Sequence, residues 1–230
     1  MHACSGKRYN GEKAVISLTS WKKRIHSVSR TIFSILSKCP GFHIVLVLSS
    51  EEFPKMEDEL PSDLRIIVDS GLIELMWVKK NVKAFKKVVY TMDKYRDVPI
   101  ISADDDCIYV LNYAELLYSK WLQNKKCSVS FGGRLYNNTY FTWGCATLWP
   151  PYCFGEMGVK WVDDFAVSMV EDDKYYAALK SILGIPTSFT KEKRINDVLR
   201  FEETGTALRN SYRGKDMNRA YNAFMEHIKK

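Results

Sequence analysis

Two kinds of hydrophobic block alternate along the first half of the chain. Short runs that are apolar throughout, such as Ile44-Val-Leu-Val-Leu48, end in small polar residues and read as buried strands. Between them, apolar residues recur at helical spacing. Lys13–Leu18 predicts the first strand. Ile25, Val28, Ile32, Ile35 and Leu36 predict a helix that Cys39-Pro40-Gly41 stops. Ile44–Leu48 is the next strand, Glu51–Leu60 an acidic helix or loop, and Leu64–Val68 and Ile73–Val78 two further strands. Phe85, Val88, Val89 and Met92 mark a helix over Lys83–Met92, and Val98–Ala103 a strand after it. This order predicts an α/β fold: a Rossmann-like, mostly parallel central sheet with helices on both faces. Ligands of such sheets bind at the carboxyl ends of the strands. Thr19-Ser20, Ser49-Ser50 and Asp104–Asp106 all fall at such ends, which predicts one shared crevice.

The second half changes character. Tyr113–Leu122 is an amphipathic helix. From Ser128 to Gly158 the chain is rich in Gly, Asn and aromatic residues, and a long irregular stretch is expected. A helix over Asp172–Leu183 opens with acidic residues, which suits a helix N-terminus, and stops at Gly184-Ile185-Pro186. Near the end, Met217, Tyr221, Phe224 and Ile228 form an apolar stripe that reads first as core packing. No repeat or low-complexity linker interrupts the 230 residues, so one domain is expected, with a first half (1–112), a second half (113–190) and a helical tail (191–230).

Composition narrows the function. The net charge of +7 favours anionic partners, and the aromatic share of 13% suits pockets for rings and sugars. The positive charge is dispersed, and the acidic clusters would repel a phosphate backbone, so nucleic acid is not expected as a partner. No run reaches the roughly 18 apolar residues of a membrane span. The first residues lack the apolar core of a signal peptide, and the six cysteines form no C-x-x-C pair, so free thiols in a reducing cytoplasm are expected.

The chemistry gathers in two acidic clusters. Asp104-Asp105-Asp106 leaves the end of an apolar strand, where crowded carboxylates either raise one another's pKa or share a cation. Alternation along a strand puts Asp104 and Asp106 on one face, suited to Mg²⁺ or Mn²⁺. Asp105 has the weaker claim, and its substitution is expected to be the mildest of the three. The second cluster, Glu171-Asp172-Asp173, is either a helix cap or a general base. Lys22, Lys23 and Arg24, and Lys79, Lys80, Lys83, Lys86 and Lys87, include candidates to meet a diphosphate, with Lys83 and Lys87 four apart on one helical face.

These stretches together resemble the GT-A superfamily of nucleotide-sugar glycosyltransferases, in particular small bacterial enzymes of surface-polysaccharide and lipopolysaccharide synthesis. The resemblance lies in Val15-Ile-Ser-Leu-Thr-Ser-Trp21 with Arg24-Ile25, Phe85-Lys-Lys-Val88, Ile100–Asp106 with its Asp-x-Asp, Gly144–Tyr152 and Glu171–Asp173. It implies that Thr19, Trp21 and Arg24 contact the nucleotide and that Lys87 faces base or phosphate. It implies too that Asp104 faces ribose and shares the divalent cation with Asp106, with Asp105 in support. Gly144 and its neighbour Trp143 would lie by the donor sugar or acceptor, and Asp172 or Asp173 would be the base. The implied reaction moves a sugar from a nucleoside diphosphate, UDP first, to a hydroxyl of a glycan or lipid-linked acceptor, with inversion. The basic surface and tail helix suggest peripheral contact with the inner face of a membrane. Where many relatives carry an acidic residue for the base, the chain reads Ser49-Ser50. His227, the one late histidine, is not taken as a ligand. A sugar-phosphate nucleotidyltransferase, or another metal-dependent phosphoryl-transfer enzyme, is the competing reading.

Overall fold

The computed structural model describes residues 2–136, 138–162 and 172–202, together with residues 222, 225 and 226. Glu171, His227 and the tail stripe Met217, Tyr221, Phe224 and Ile228 lie outside the described residues.

An eight-stranded sheet organises the chain. Its strands are β1 (Ala3–Gly6), β2 (Val15–Thr19), β3 (His43–Ser49), β4 (Glu74–Val78), β5 (Ile100–Ser102), β7 (Ser128–Ser130), β10 (Thr147–Trp149) and β11 (Thr187–Phe189). Their spatial order is β1-β4-β3-β2-β5-β10-β7-β11. The pairings of β4 with β3, β3 with β2, β2 with β5, and β7 with β11 are parallel; β1 and β10 run antiparallel to their neighbours. Two ribbons flank the sheet: β6 (Cys107–Tyr109) pairs with β12 (Leu199–Phe201), and β8 (Gly133–Tyr136) with β9 (Thr139–Thr142).

The all-apolar strands are apolar because both faces of the sheet are covered. Alternate residues part to either side: Ile16, Leu46, Leu75 and Ile101 join one core, and Val15, Val45, Met76 and Ile100 the other. The first core is closed by α1 (Val28–Lys38), α2 (Ser62–Asp69) and α4 (Tyr113–Gln123), through residues such as Ile32, Leu64 and Leu117. The second is closed by α3 (Lys86–Lys94) and α6 (Asp172–Leu183), through Val88, Tyr175 and Leu179, with the short α5 (Met157–Lys160) beside them. A last turn of helix, α7 (Ile195–Val198), leads into β12. No helix among the described residues is long and apolar enough to cross a membrane.

Three sequence expectations are corrected. Leu64–Val68 is not a strand but the middle of α2. Its β-branched residues suggest a strand, yet Leu64, Ile67 and Val68 are buried while Ile66 is 65% exposed, which is helical spacing. Second, the predicted irregular stretch Ser128–Gly158 carries β7 to β10 and the start of α5. Its strands have three or four residues each, too short to show a period. Third, Lys83 does not share an α-helical face with Lys87. It opens a 3-10 turn, Lys83–Phe85, with a left-handed φ of 54°, and α3 begins only at Lys86.

From β2 the chain passes to β3 and β4 on one side, then returns to place β5 on the other. The carboxyl ends of β2 and β5 thus flank the point where the winding reverses, where open α/β sheets hold their ligands.

Candidate active site

The carboxylates of the triplet stand at that point with two cations among them. After β5 the chain turns at Asp105 and Asp106, and the three side chains meet two cations, Asp105 and Asp106 sharing Arg24 and Asp104 taking Lys87. Asp105 is buried. Its Oδ2 accepts from Ser20 Oγ at 2.6 Å, its Oδ1 pairs with Arg24 Nη2 at 2.7 Å, and its carbonyl accepts from Thr31 Oγ1 at 3.0 Å. Burial pushes its pKa up to about 6, against the pull of Arg24 and Ser20. Asp106 Oδ2 accepts from the other arm of the same guanidinium, Nη1, at 2.5 Å. Burial and repulsion from Asp104 raise its pKa, with Arg24 opposing. Asp104 Oδ1 accepts from Lys87 Nζ at 2.5 Å.

The second acidic cluster meets the first through Lys87. Its ammonium lies 3.0 Å from Asp172 Oδ2 at the start of α6. Burial alone would lower Lys87, but Asp104 and Asp172 outweigh it and hold the pKa well above the usual lysine range. Gly144 seals the junction. A Cβ there would lie 2.6 Å from Asp173 Oδ1, 3.3 Å from Lys87 Nζ and 3.4 Å from Asp172 Oδ2. The glycine therefore makes room for the carboxylates of α6. The sequence reading had set it by the donor sugar.

The remaining expected residues gather near the same strand ends with varied roles. Thr19 Oγ1 donates to the Val47 carbonyl at 2.6 Å, so it ties β2 to β3; Ser20, one residue on, reaches the triplet. Trp21 carries Lys23 over its ring at 5.3 Å, and its buried Nε1 has no hydrogen-bond partner among the described residues. Lys22 turns outward to Glu59 at 2.8 Å. Ser49 is fully buried at the end of β3. Trp143 accepts from Thr147 Oγ1 at its carbonyl (2.7 Å) and has the Arg134 guanidinium 5.9 Å from its ring.

Tyr109, Glu52 and Lys180 were not singled out from sequence, and Lys86 was named only within a run of lysines. Tyr109 is buried, donates to the Cys145 carbonyl at 2.6 Å and accepts from the Asp104 N–H at 3.2 Å, so it joins the triplet to the Gly144 loop. Lys86, beside Lys87, is also buried. It donates to Asn81 Oδ1 at 2.7 Å and lies 3.7 Å from Glu52 Oε2; burial pushes its pKa down to about 8, against Glu52. Glu52 in turn accepts from the Lys22 N–H at 3.1 Å. It brings a carboxylate to the region where the chain reads Ser49-Ser50. Only the run of lysines around Lys86 hinted at that pair; which lysine turns inward depends on where α3 starts. Lys180, on α6, donates to the Tyr140 carbonyl at 2.8 Å and to Thr187 Oγ1 at 3.1 Å, fastening the β8–β9 ribbon to the helix that bears Asp172.

No protein-family model matches the chain, and no curated protein matches it in sequence. Solved structures do match. The mannosyltransferase PcManGT from Pyrobaculum calidifontis, solved in complex with GDP-Man and Mn²⁺, aligns at a TM-score of 0.51 and 13% identity, over 81% of this chain and 56% of its own. The chain shares its fold with that mannosyltransferase. The glycosyltransferase GlyE from Streptococcus pneumoniae TIGR4 aligns at a TM-score of 0.49 and 14% identity, over 80% of this chain and 46% of its own. The chain thus spans about half the length of the glycosyltransferases it matches.

The charges test whether a divalent cation suits this fold's acidic end. In direct contact, the four carboxylates of Asp104, Asp105, Asp106 and Asp172 meet the two cations Arg24 and Lys87. Two negative charges are left in excess, the charge of one dication. Arg24 takes Oδ2 of Asp106 and Lys87 takes Oδ1 of Asp104, so each carboxylate keeps its other oxygen without an ionic partner among the described residues. Ligand atoms of Asp104, Asp106 and Cys107 all lie within 4.8 Å of one another. Asp104 and Asp106 fit a hard cation. The free cysteines form no disulfide among the described residues.

Proposed function

We propose that the chain is a metal-dependent glycosyltransferase that moves a sugar from a nucleoside-diphosphate sugar to a hydroxyl of a glycan or lipid-linked acceptor, with inversion, in surface-polysaccharide synthesis. The excess of two negative charges at the switch point of a fold shared with a mannosyltransferase carries this reading. The complex of PcManGT with GDP-Man and Mn²⁺ shows that a protein of like fold takes such a donor and such an ion. For this chain a UDP-sugar is the first donor to try and a GDP-sugar the second.

Asp104 and Asp106 would hold the ion, which when bound offsets charge on the departing diphosphate. Arg24 holds Asp105 and Asp106 in place with one planar guanidinium, so the second carboxylate does not swing away when substrate enters. Lys87 fixes the distance between Asp104, on the donor side, and Asp172. Asp172 or Asp173 takes the proton of the acceptor hydroxyl as that oxygen attacks the anomeric carbon. Both sit in the first turn of a 12-residue helix.

The test is a panel of UDP- and GDP-sugars with Mn²⁺ and the chain, read by thermal shift and then by product. Stabilisation by one sugar nucleotide and release of nucleoside diphosphate are expected. Release of pyrophosphate from a nucleoside triphosphate and a sugar phosphate would replace the proposal with the nucleotidyltransferase reading. Asp172→Asn or Asp173→Asn should lower transfer by about 10²- to 10⁴-fold while donor binding stays. Full transfer by both variants would remove the base assignment, and a retained anomeric configuration by NMR would remove inversion.

A further inference from the structure

We infer that Cys107 is a third protein ligand of the cation held by Asp104 and Asp106, which makes the site selective for a thiophilic dication such as Co²⁺ or Zn²⁺ over Mg²⁺. This rests on the metal reading above and goes beyond its carboxylate pair. The chain reverses at Asp105 and Asp106, and β6 starts at Cys107. The turn brings the thiol back beside the two carboxylates, whereas straight strand alternation would send it to the opposite face.

The distances are those of a coordination group. Two ligands of one ion lie at most two bonds apart, about 4.5 Å for typical metal–sulfur and metal–oxygen lengths. The atoms of Asp104, Asp106 and Cys107 are within 4.8 Å of one another, so a small side-chain adjustment closes the set. The thiol already faces Asp106 Oδ1, at 3.9 Å, and this is the oxygen that Arg24 does not use. Cys107 is fully buried, and pairing of β6 with β12 sets it opposite Phe201. Cys145, next to Gly144, hydrogen-bonds the Cys107 thiol. As the ion binds, sulfur forms the bond to metal and its proton passes to solvent. Two carboxylate oxygens alone would suit Mg²⁺ as well as Mn²⁺; a sulfur in the set tips the balance toward the later transition ions.

Cobalt makes the sulfur visible. The whole chain is titrated with Co²⁺, and with Mn²⁺ followed by electron paramagnetic resonance. A thiolate-to-cobalt absorption band in the near ultraviolet should grow to one ion per chain, vanish in Cys107→Ser and persist in Cys145→Ser. Cys107→Ser should weaken Co²⁺ binding by about tenfold or more and leave Mg²⁺ binding unchanged. X-ray absorption of the cobalt-loaded wild-type chain should show a sulfur neighbour of the metal, and needs no variant to fold. If Co²⁺ and Mn²⁺ bind, and Asp106→Asn abolishes that binding, yet no sulfur is seen, the inference is wrong and the metal reading stands. If neither ion binds the wild-type chain, both are wrong.

Discussion

The two ends of the sheet both bury charge, and they balance it in opposite ways. At the amino end, Glu74 begins β4 with a single carboxylate among three donors: His43 Nε2 at 2.9 Å, Lys94 Nζ and Tyr95 Oη. Burial would raise Glu74, but these hydrogen bonds prevail and bring its pKa down to about 2. Tyr9 packs on the rings of His43 and Tyr95, and Glu12 stands 3.8 Å from His43 Nδ1. Here acceptors are saturated by donors that the fold itself supplies, and the cluster ties β3, β4 and the end of α3 together. At the carboxyl end, four carboxylates share two cations. A buried excess of like charge costs free energy in a medium of low dielectric. A fold that balances one end and leaves the other negative has a positive ligand to gain at the second.

The sharpest way to break this contrast is to remove one carboxylate from the negative end. Asp106→Asn takes away a proposed ligand and leaves Arg24 with Asp105. A bound ion that offsets developing charge is worth several kcal/mol, so transfer should fall by about a thousandfold or more. Stability of the metal-free chain should rise or stay level, because repulsion from Asp104 is relieved. Initial rates with Mn²⁺ and a melting curve in chelator check both halves. A variant that keeps its rate would mean that the negative excess serves no cation.

The balanced end should respond in the reverse sense. Glu74→Gln breaks a buried ion pair and should cost about 3 kcal/mol, read by denaturant unfolding, with metal affinity unchanged. The sign of its pH dependence follows from the lowered pKa. The unfolded chain binds the Glu74 proton from about pH 4.5 downward and the folded one only near 2. The stabilisation is therefore present above about pH 4.5 and is lost as pH falls from there toward 2. The variant's stability should change less across that window. If its acid limb matches that of the wild type, Glu74 is not what holds this end.

How far the sequence foretold each end follows from the kind of contact involved. The strands β2 to β5, the helices α1, α3 and α4 and the full span of α6 follow from apolar periodicity, which local sequence carries. Strands β1, β11 and β12 have three or four residues and owe their existence to a partner, so periodicity does not reveal them. The triplet, Arg24, Lys87 and Asp172 could be named, because charge at a strand or helix end is a local feature. Their pairing could not: Ser20 lies 85 residues from Asp105 and Arg24 lies 82 from Asp106. Tyr109 and Cys107 were missed for the same reason, and Lys86 was named only as one lysine of a run, since each looks like ordinary strand or helix composition until the turn at Asp105 and the start of α3 aim it inward. The Glu74 cluster gave no signal, as Glu74 of β4, His43 of β3 and the Lys94–Tyr95 pair at the end of α3 meet only in the fold.

Asp105 is the carboxylate that sharpens the contrast most finely, because it sits at the negative end yet is bonded like Glu74. It is 2% exposed and both of its oxygens are taken, by Ser20 and by Arg24. In Asp105→Asn the amide oxygen can keep Arg24 while the amide nitrogen donates to Ser20 Oγ. The change should therefore be the mildest in the triplet, with ion affinity within about tenfold of wild type. The pH response distinguishes it from Glu74. Its folded pKa of about 6 lies above the ordinary 3.8, so the folded state holds this proton where the unfolded chain has lost it. Stability of the metal-free protein should fall as pH rises from about 4 to 6, opposite in sign to the Glu74 limb, and Asp105→Asn should abolish that fall. Melting curves of the two chains in chelator across this range measure the difference directly. A parallel decline in both would show that Asp105 is ionised throughout, and that Arg24 and Ser20 balance it as fully as three donors balance Glu74.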